Sequence, residues 1–185
     1  QGTTFISEMP GTARLYGERT DLRWVGTDWM EALIDKYGQV YRNLQQHAEG
    51  YPTPEYLQSI IRVGNVEFEG EMEQVTASSE FIKDILLDDK PGPVYLQIWG
   101  GANTVARALK SIEEAYKDTP EWDQIYRKVS DKAVIYTITY QDATYEKYIA
   151  PNWPEIRSLH NADQFWCFAY GWHRLVPEEI QTYMD

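Results

Sequence analysis

One stretch sets the architecture of this chain: Pro93-Val-Tyr-Leu-Gln-Ile-Trp-Gly-Gly-Ala-Asn-Thr-Val-Ala-Arg-Ala-Leu-Lys110. Val94 to Trp99 is apolar, β-branched and aromatic, which predicts a short strand buried on both faces. Asn103 is a good N-cap, and apolar residues follow it at helical spacing. Gly100-Gly101-Ala102 is therefore predicted to be a tight turn from a strand into a helix, which is half of a βαβ unit.

The carboxyl ends of the predicted strands are where we expect a ligand, because free backbone groups and helix N-termini face the crevice there. Trp99 to Asn103 lies at one such end. The second predicted strand, Ala133 to Thr139, is also followed by polar residues, Gln141 and Asp142. Asp142 either belongs to a site or only caps the helix predicted around Tyr145 to Ile149, and the pattern does not separate the two.

Helices and strands alternate along the rest of the chain. Local signals predict helices that start at Asp28 (with Gly38 breaking or bending this first helix), at Thr53-Pro54, at Thr76 and at Thr119-Pro120, and a short strand at Glu155 to Leu159. This order favours one α/β domain over residues 1–185, with a mostly parallel sheet and helices on both of its faces.

Composition excludes several classes of function. The chain has 17 Lys and Arg against 29 Asp and Glu, a formal charge of -12, and this field repels phosphate backbones and anionic membranes. No apolar run approaches the roughly 20 residues needed to cross a bilayer. The single cysteine, Cys167, excludes an internal disulfide, and the three histidines lack zinc-site spacing. We therefore expect neither nucleic acid nor a membrane as a partner.

Glutamates cluster around Gly70, at Glu67, Glu69, Glu71 and Glu73. Closely spaced carboxylates can bind a metal or form an acid/base pair, since like charges push their pKa values apart. The same pattern is typical of an acidic surface loop. Both interpretations stay open at this point.

Several motifs together resemble one known family. They are Tyr51-Pro-Thr-Pro-Glu-Tyr-Leu57, Glu69-Gly-Glu-Met-Glu73, Leu96-Gln-Ile-Trp-Gly-Gly-Ala-Asn-Thr-Val-Ala-Arg-Ala-Leu-Lys-Ser-Ile-Glu113, Tyr136-Thr-Ile138 with Gln141-Asp142, and Asp163-Gln-Phe-Trp166. Over nearly its whole length the chain resembles the nucleoside-hydrolase-like domain of secreted bacterial and fungal proteins, including one described as cellulose-binding. The resemblance implies a Rossmann-like α/β fold and a secreted or periplasmic location.

The resemblance also implies a calcium ion, which in nucleoside hydrolases binds the sugar diol and activates a water molecule. By resemblance, one calcium ligand would be the backbone carbonyl of Trp99. The family's Asp-rich motif at the end of its first strand has no counterpart here, nor does the second half of its pocket. We therefore expect either a partial domain of a longer protein, lacking N- and C-terminal parts, or a reduced domain without the metal site.

The resemblance favours a hydrolase that cleaves a glycosidic bond in a furanoside, glycan or nucleoside-like substrate. It leaves the catalytic residues unknown and gives five candidates for substrate binding: Glu71, Asn103, Gln141, Asp142 and Trp166. The alternative is a non-catalytic protein that binds cellulose or another plant-wall glycan, with Trp99 and Trp166 as stacking platforms. A structural role is a third interpretation, for which the only sign is the aromatic surplus. The expected protein partner is a second copy or the remaining part of the same protein.

Overall fold

The computed structural model describes residues 27–67, 70–140 and 142–161. Three helices come first, α1 (Asp28–His47), α2 (Pro54–Ser59) and α3 (Ala77–Leu87). They are followed by β1 (Val94–Ile98), α4 (Asn103–Tyr116), α5 (Trp122–Lys132) and β2 (Ala133–Ile138). A π-helical turn (Tyr145–Ile149) leads into α6 (Ala150–Asn152), and β3 (Arg157–Asn161) is the last described element.

The three strands form a parallel sheet in the order β1-β2-β3. Leu96 of β1 lies opposite Ile135 of β2, which lies opposite Ser158 of β3. Helices α4 and α5 provide the crossover from β1 to β2. The predicted α/β class and parallel sheet are therefore confirmed, and the last predicted strand begins two residues later than expected, at Arg157.

The hydrophobic core lies on one face of this sheet. Leu96 and Ile98 of β1 and Ile135 of β2 point to that face and pack with Leu109 and Ile112 of α4. Leu109, Ile112 and Ile135 are 0% exposed. The helical spacing of the apolar residues after the Gly-Gly turn therefore covers this face, as the sequence pattern indicates.

The opposite face of β1 is exposed, so the prediction of a strand buried on both faces is wrong. Tyr95 is 59% exposed and Trp99 is 64% exposed, and Gln97 between them is exposed as well. Successive side chains of a strand point to opposite faces. The core residues of α4 pack on the face of Leu96 and Ile98, whereas Tyr95 and Trp99 on the other side of the chain are exposed although aromatic residues are typical of a core.

Two of the predicted helix starts are confirmed by their caps. Thr53 Oγ1 accepts a hydrogen bond from the Tyr56 amide over 3.1 Å, with Pro54 as the first helical residue. Thr76 Oγ1 accepts from the Ser79 amide over 3.1 Å, while Ser79 Oγ accepts from the Thr76 amide over 2.9 Å. This reciprocal capping box satisfies two amides that the first turn of a helix leaves unpaired.

Three other expectations about the helices need correction, two about where they start and one about Gly38. Helix α1 starts at Asp28 as predicted, but Asp28, which the sequence also suggests as the N-cap, is the first helical residue and Thr27 holds the cap position. The helix α1 continues through Gly38 without a break. A single glycine costs a helix interior only about 1 kcal/mol, which a 20-residue helix tolerates. Helix α5 begins at Trp122, a few residues after the predicted Thr119-Pro120 start. Among the described helices, none is long and apolar enough to cross a membrane.

Aromatic stacking attaches the segment after β2 to α5. Trp153 is 1% exposed. Its ring stacks on Tyr126, with the centroids 5.0 Å apart, and meets Trp122 edge-on at 5.6 Å. Such aromatic pairs contribute about 0.5–1.5 kcal/mol beyond the burial of their surface.

Replacing Gly64 with alanine should destabilise the fold. A Cβ at this position would lie 2.3 Å from Thr104 Oγ1 and 3.1 Å from Thr104 Cβ, and Thr104 is buried in the first turn of α4. We expect Gly64→Ala to lower the free energy of unfolding by about 1–3 kcal/mol, measured by urea denaturation. Gly38→Ala is the matched control, since its Cβ would make an ordinary 3.5 Å contact with Pro54. Equal stability of the two variants would contradict this packing.

Stability should depend on pH through the pair that joins α3 to α5. Lys132 hydrogen-bonds to Asp88 and holds the pKa of that carboxyl below its ordinary value. Such a group stabilises the fold above its ordinary pKa, and the stabilisation is lost as the pH falls through the lower, folded-state pKa. We expect Asp88→Asn to lower the urea midpoint at pH 7 and to have a vanishing effect well below pH ~4. Asp131→Asn, at an exposed position of α5, should change little at either pH; a pH-independent effect of Asp88→Asn would contradict the assignment.

Candidate functional site

A hydrogen bond joins the turn after β1 to the turn after β2. The Ala102 amide donates to Asp142 Oδ2 over 2.9 Å, and the Thr144 amide donates to Asp142 Oδ1 over 2.9 Å. Asp142 is only 3% exposed. Hydrogen bonds to an ionised acceptor are roughly twice as strong as neutral ones. The carboxyl ends of β1 and β2 are therefore held together at the edge where parallel sheets bind ligands.

Asn103 joins a third segment to the same place. Its Oδ1 accepts from the Gly70 amide over 3.1 Å and from Thr144 Oγ1 over 2.9 Å. The prediction that Asn103 caps α4 is wrong, because Ala102 occupies the N-cap position and makes no side-chain cap bond. The Asn103 side-chain oxygen, which a cap would use to accept from an amide in the first turn of its own helix, instead accepts from Gly70 and Thr144.

The Glu71 side chain accepts hydrogen bonds from residues on both sides of it in the acidic segment. Its Oε1 accepts from the amides of Glu73 and Gln74 over 2.9 and 2.8 Å, and its Oε2 accepts from Asn65 Nδ2 over 2.6 Å. Glu71 is 4% exposed and Asn65 is 2% exposed. In the part of this segment from Gly70 onward, the Glu71 carboxylate therefore provides hydrogen-bond partners for backbone amides that lack them in a loop. Glu69 lies outside the described residues.

The buried Arg107 attaches this loop to α4. Its Nη1 donates to the Met72 carbonyl over 2.9 Å, and its Nη2 pairs with Glu114. Arg107 is 2% exposed, so its charge is taken out of water and must be paired. At the rim of the loop, Lys110 hydrogen-bonds to Glu73 over 2.6 Å and lowers the pKa of that carboxyl.

The backbone after β2 adopts an uncommon conformation. Thr139 has a φ of 54°, which costs a β-branched residue about 1–3 kcal/mol. Its amide donates to the Asn161 carbonyl over 3.0 Å. The next ring, Tyr140, stacks between Tyr145 at 5.0 Å and His160 at 4.2 Å. Burial raises the pKa of Tyr140.

The predicted binding residues fall into two groups. Glu71, Asn103 and Asp142 are buried and belong to one connected set of loops, in which their oxygens accept hydrogen bonds from the protein itself. Gln141 and Trp166 lie outside the described residues. Direct contact of any of the five with a substrate stays a prediction. Trp99 is different, because its ring faces solvent at the end of β1.

The donors in the described ranges do not by themselves fit a calcium ion. Calcium takes roughly six to eight oxygen ligands. Within those ranges, no group of three or more His, Cys, Asp or Glu residues could hold a metal. The Trp99 carbonyl as a ligand, and calcium itself, therefore stay predictions that need ligands from elsewhere.

Comparison with known proteins assigns the chain to a family. Residues 11–182 match the family described as cellulose-binding Sde182, nucleoside hydrolase-like domain. This chain belongs to that family. Membership in the Sde182 nucleoside hydrolase-like family confirms the resemblance carried by the sequence motifs, and the α/β sheet described above is consistent with it.

One solved structure is similar to this member of the Sde182 family. It is a nucleoside hydrolase-related hypothetical protein from Saccharophagus degradans that is associated with carbohydrate metabolism, with a TM-score of 0.62 and 30% sequence identity. The match covers 71% of this chain and 31% of that chain, so this chain corresponds to only part of its relative. No curated protein matches this chain.

Replacing Asp142 with asparagine should loosen the joined turns. The change keeps the size of the side chain but places an NH₂ group against one of two backbone N–H donors. We expect the free energy of unfolding to fall by about 1–3 kcal/mol, measured by urea denaturation. Asp84→Asn, at an exposed position of α3, is the control. An unchanged urea midpoint for Asp142→Asn would show that the two turns are held together by something else.

Proposed function

We propose that this chain is a carbohydrate-binding domain, in which an exposed aromatic ring at the carboxyl end of β1 stacks on a sugar. The observation that carries the proposal is the position of Trp99, which is 64% exposed at the edge of the sheet. This edge is the usual ligand position in a parallel α/β sheet. The description of the family as cellulose-binding supports the same class of ligand.

The chemistry of the ring suits a sugar. Tryptophan has a large flat face that is apolar and an N–H at its edge. The apolar face of a pyranose can stack on the ring while its hydroxyl groups stay in water. The segment Val94 to Trp99 has no charged residue, in a chain of net charge -12. A neutral glycan therefore meets no repulsion there, whereas an anionic polymer would be repelled by the whole molecule.

The buried polar residues give this ring a rigid support. Asp142 fixes the Ala102 amide three residues after Trp99, and Asn103 joins the same turn to Gly70 and Thr144. A binding group on a preorganised turn loses less conformational entropy when it binds. We therefore assign Asn103 and Asp142 to positioning the turn, with sugar contact through Trp99.

Glycosidic-bond hydrolysis is a second proposal. It is supported by the similarity to a nucleoside hydrolase-related protein, and its substrate would be a furanoside, glycan or nucleoside-like compound. A bound calcium ion would orient the sugar hydroxyls and activate water, with most of its ligands supplied from outside the described ranges. Release of sugar or base that stops with a calcium chelator is the expected result if this proposal holds. A plant-wall ligand would also favour a secreted or periplasmic location.

Retention on cellulose tests the first proposal. The full-length chain should be depleted from solution by microcrystalline cellulose and released by soluble β-1,4-linked glucose oligomers. Trp99→Ala should weaken retention about tenfold, because covering one large apolar side chain contributes roughly 1.5 kcal/mol or more. Trp29→Ala is the matched control, since Trp29 is 43% exposed on α1. Equal retention of wild type, Trp99→Ala and Trp29→Ala would contradict the proposal.

A further inference from the structure

We infer that the exposed face of β1, formed by Tyr95, Gln97 and Trp99 and here termed the β1 track, binds an extended uncharged glycan through more than one sugar at a time. The inference rests on the proposed carbohydrate binding and specifies its ligand as a linear chain. It adds Tyr95 and Gln97 to the site.

The three side chains are exposed at alternate positions, Tyr95 and Gln97 within β1 and Trp99 in the bend directly after it. Burial alternates from Tyr95 to Gly100, with Tyr95, Gln97 and Trp99 exposed and Leu96, Ile98 and Gly100 buried. A strand rises about 3.3 Å per residue, which places the Cα atoms of Tyr95 and Trp99 roughly 13 Å apart. One pyranose is too short to contact both rings, whereas an extended oligosaccharide lying along the strand contacts both.

The track is one strand wide. In the sheet register, Tyr95 lies beside Val134 and Gln97 lies beside Tyr136. Val134 is only 5% exposed, and Ile138 further along β2 is 3% exposed. Tyr136 is half-buried, so the exposed residues of this face lie on β1 and in the bend that follows it, which suits a single linear polymer.

A second protein molecule is a poorer occupant of the same surface. Stable protein interfaces bury about 800 Å² on each partner, and three side chains on one strand fall well short of that area. Two copies of this chain would also bring together two molecules of charge -12. A neutral glycan meets neither obstacle.

Gln97, between Tyr95 and Trp99 in the β1 track, can hydrogen-bond to sugar hydroxyl groups. Gln97 offers both a carbonyl acceptor and two N–H donors, and its side chain lies between the two rings. Sugar hydroxyls are donors and acceptors as well, so the amide can bond to a ring substituent while Tyr95 and Trp99 contact the apolar faces. This pattern of ring, amide and ring matches a polymer that repeats the same sugar.

Binding of β-1,4-linked glucose oligomers of increasing length, measured by calorimetry on the full-length chain, tests the inference. For the wild type we expect affinity to rise at least about tenfold between glucose and the hexasaccharide, because the longer ligand adds a second stacked ring. Tyr95→Ala should remove most of that gain. Tyr95→Phe, which keeps the ring, should retain it. Tyr56→Ala is the matched control, with Tyr56 57% exposed on α2.

The possible results separate this inference from the proposed function. No binding of any oligomer by folded wild type would overturn both. Binding that Trp99→Ala weakens, with a length dependence that Tyr95→Ala leaves intact, would overturn the track but keep the carbohydrate-binding proposal. A change of molar mass in light scattering on Tyr95→Ala, with unchanged oligosaccharide affinity, would make the face an interface between copies and overturn the track. Circular dichroism should show equal folding of all variants.

Discussion

The hydrogen bond from the Ala102 amide to Asp142 is the constraint on which the ligand edge of this molecule depends. It connects the turn after β1 to the turn after β2, and the neighbouring Asn103 extends the connection to the acidic loop. Since a buried carboxylate without its donors would be costly, separating these three segments should be costly as well. The exposed Trp99 is thereby carried on a fixed support.

This arrangement separates residues that shape the site from residues that meet solvent. The carboxylates and amides that suggest catalysis in the sequence hold loops in place, as Glu71 does through three hydrogen bonds. The aromatic residues of β1 suggest a core in the sequence, yet they face outward. Within the described ranges, the buried polar side chains therefore hold the loops in place, and the proposed sugar contact falls to exposed aromatic surface.

Local signals in the sequence predicted the elements well and their tertiary contacts less well. Thr53 and Thr76 were predictable as caps because a cap depends on residues only three positions away. Asn103 was not, since its partners lie 33 and 41 residues away. The exposed face of β1 had a signal in the alternation of Tyr95, Gln97 and Trp99, but periodicity does not show which face is covered. The conformation of Thr139 had no signal, because its type does not favour a positive φ.

Because Trp153 is buried and Trp99 is exposed, the intrinsic tryptophan fluorescence of this chain should report on two different events. Trp153 is enclosed by Trp122 and Tyr126, so its fluorescence should change when that cluster opens on unfolding. Trp99 is in water in the native state, so its emission should shift towards the blue when a ligand covers it. The summed emission of the seven tryptophans should therefore shift towards the red on unfolding and towards the blue on ligand binding, so the direction of the shift distinguishes the two events without any label.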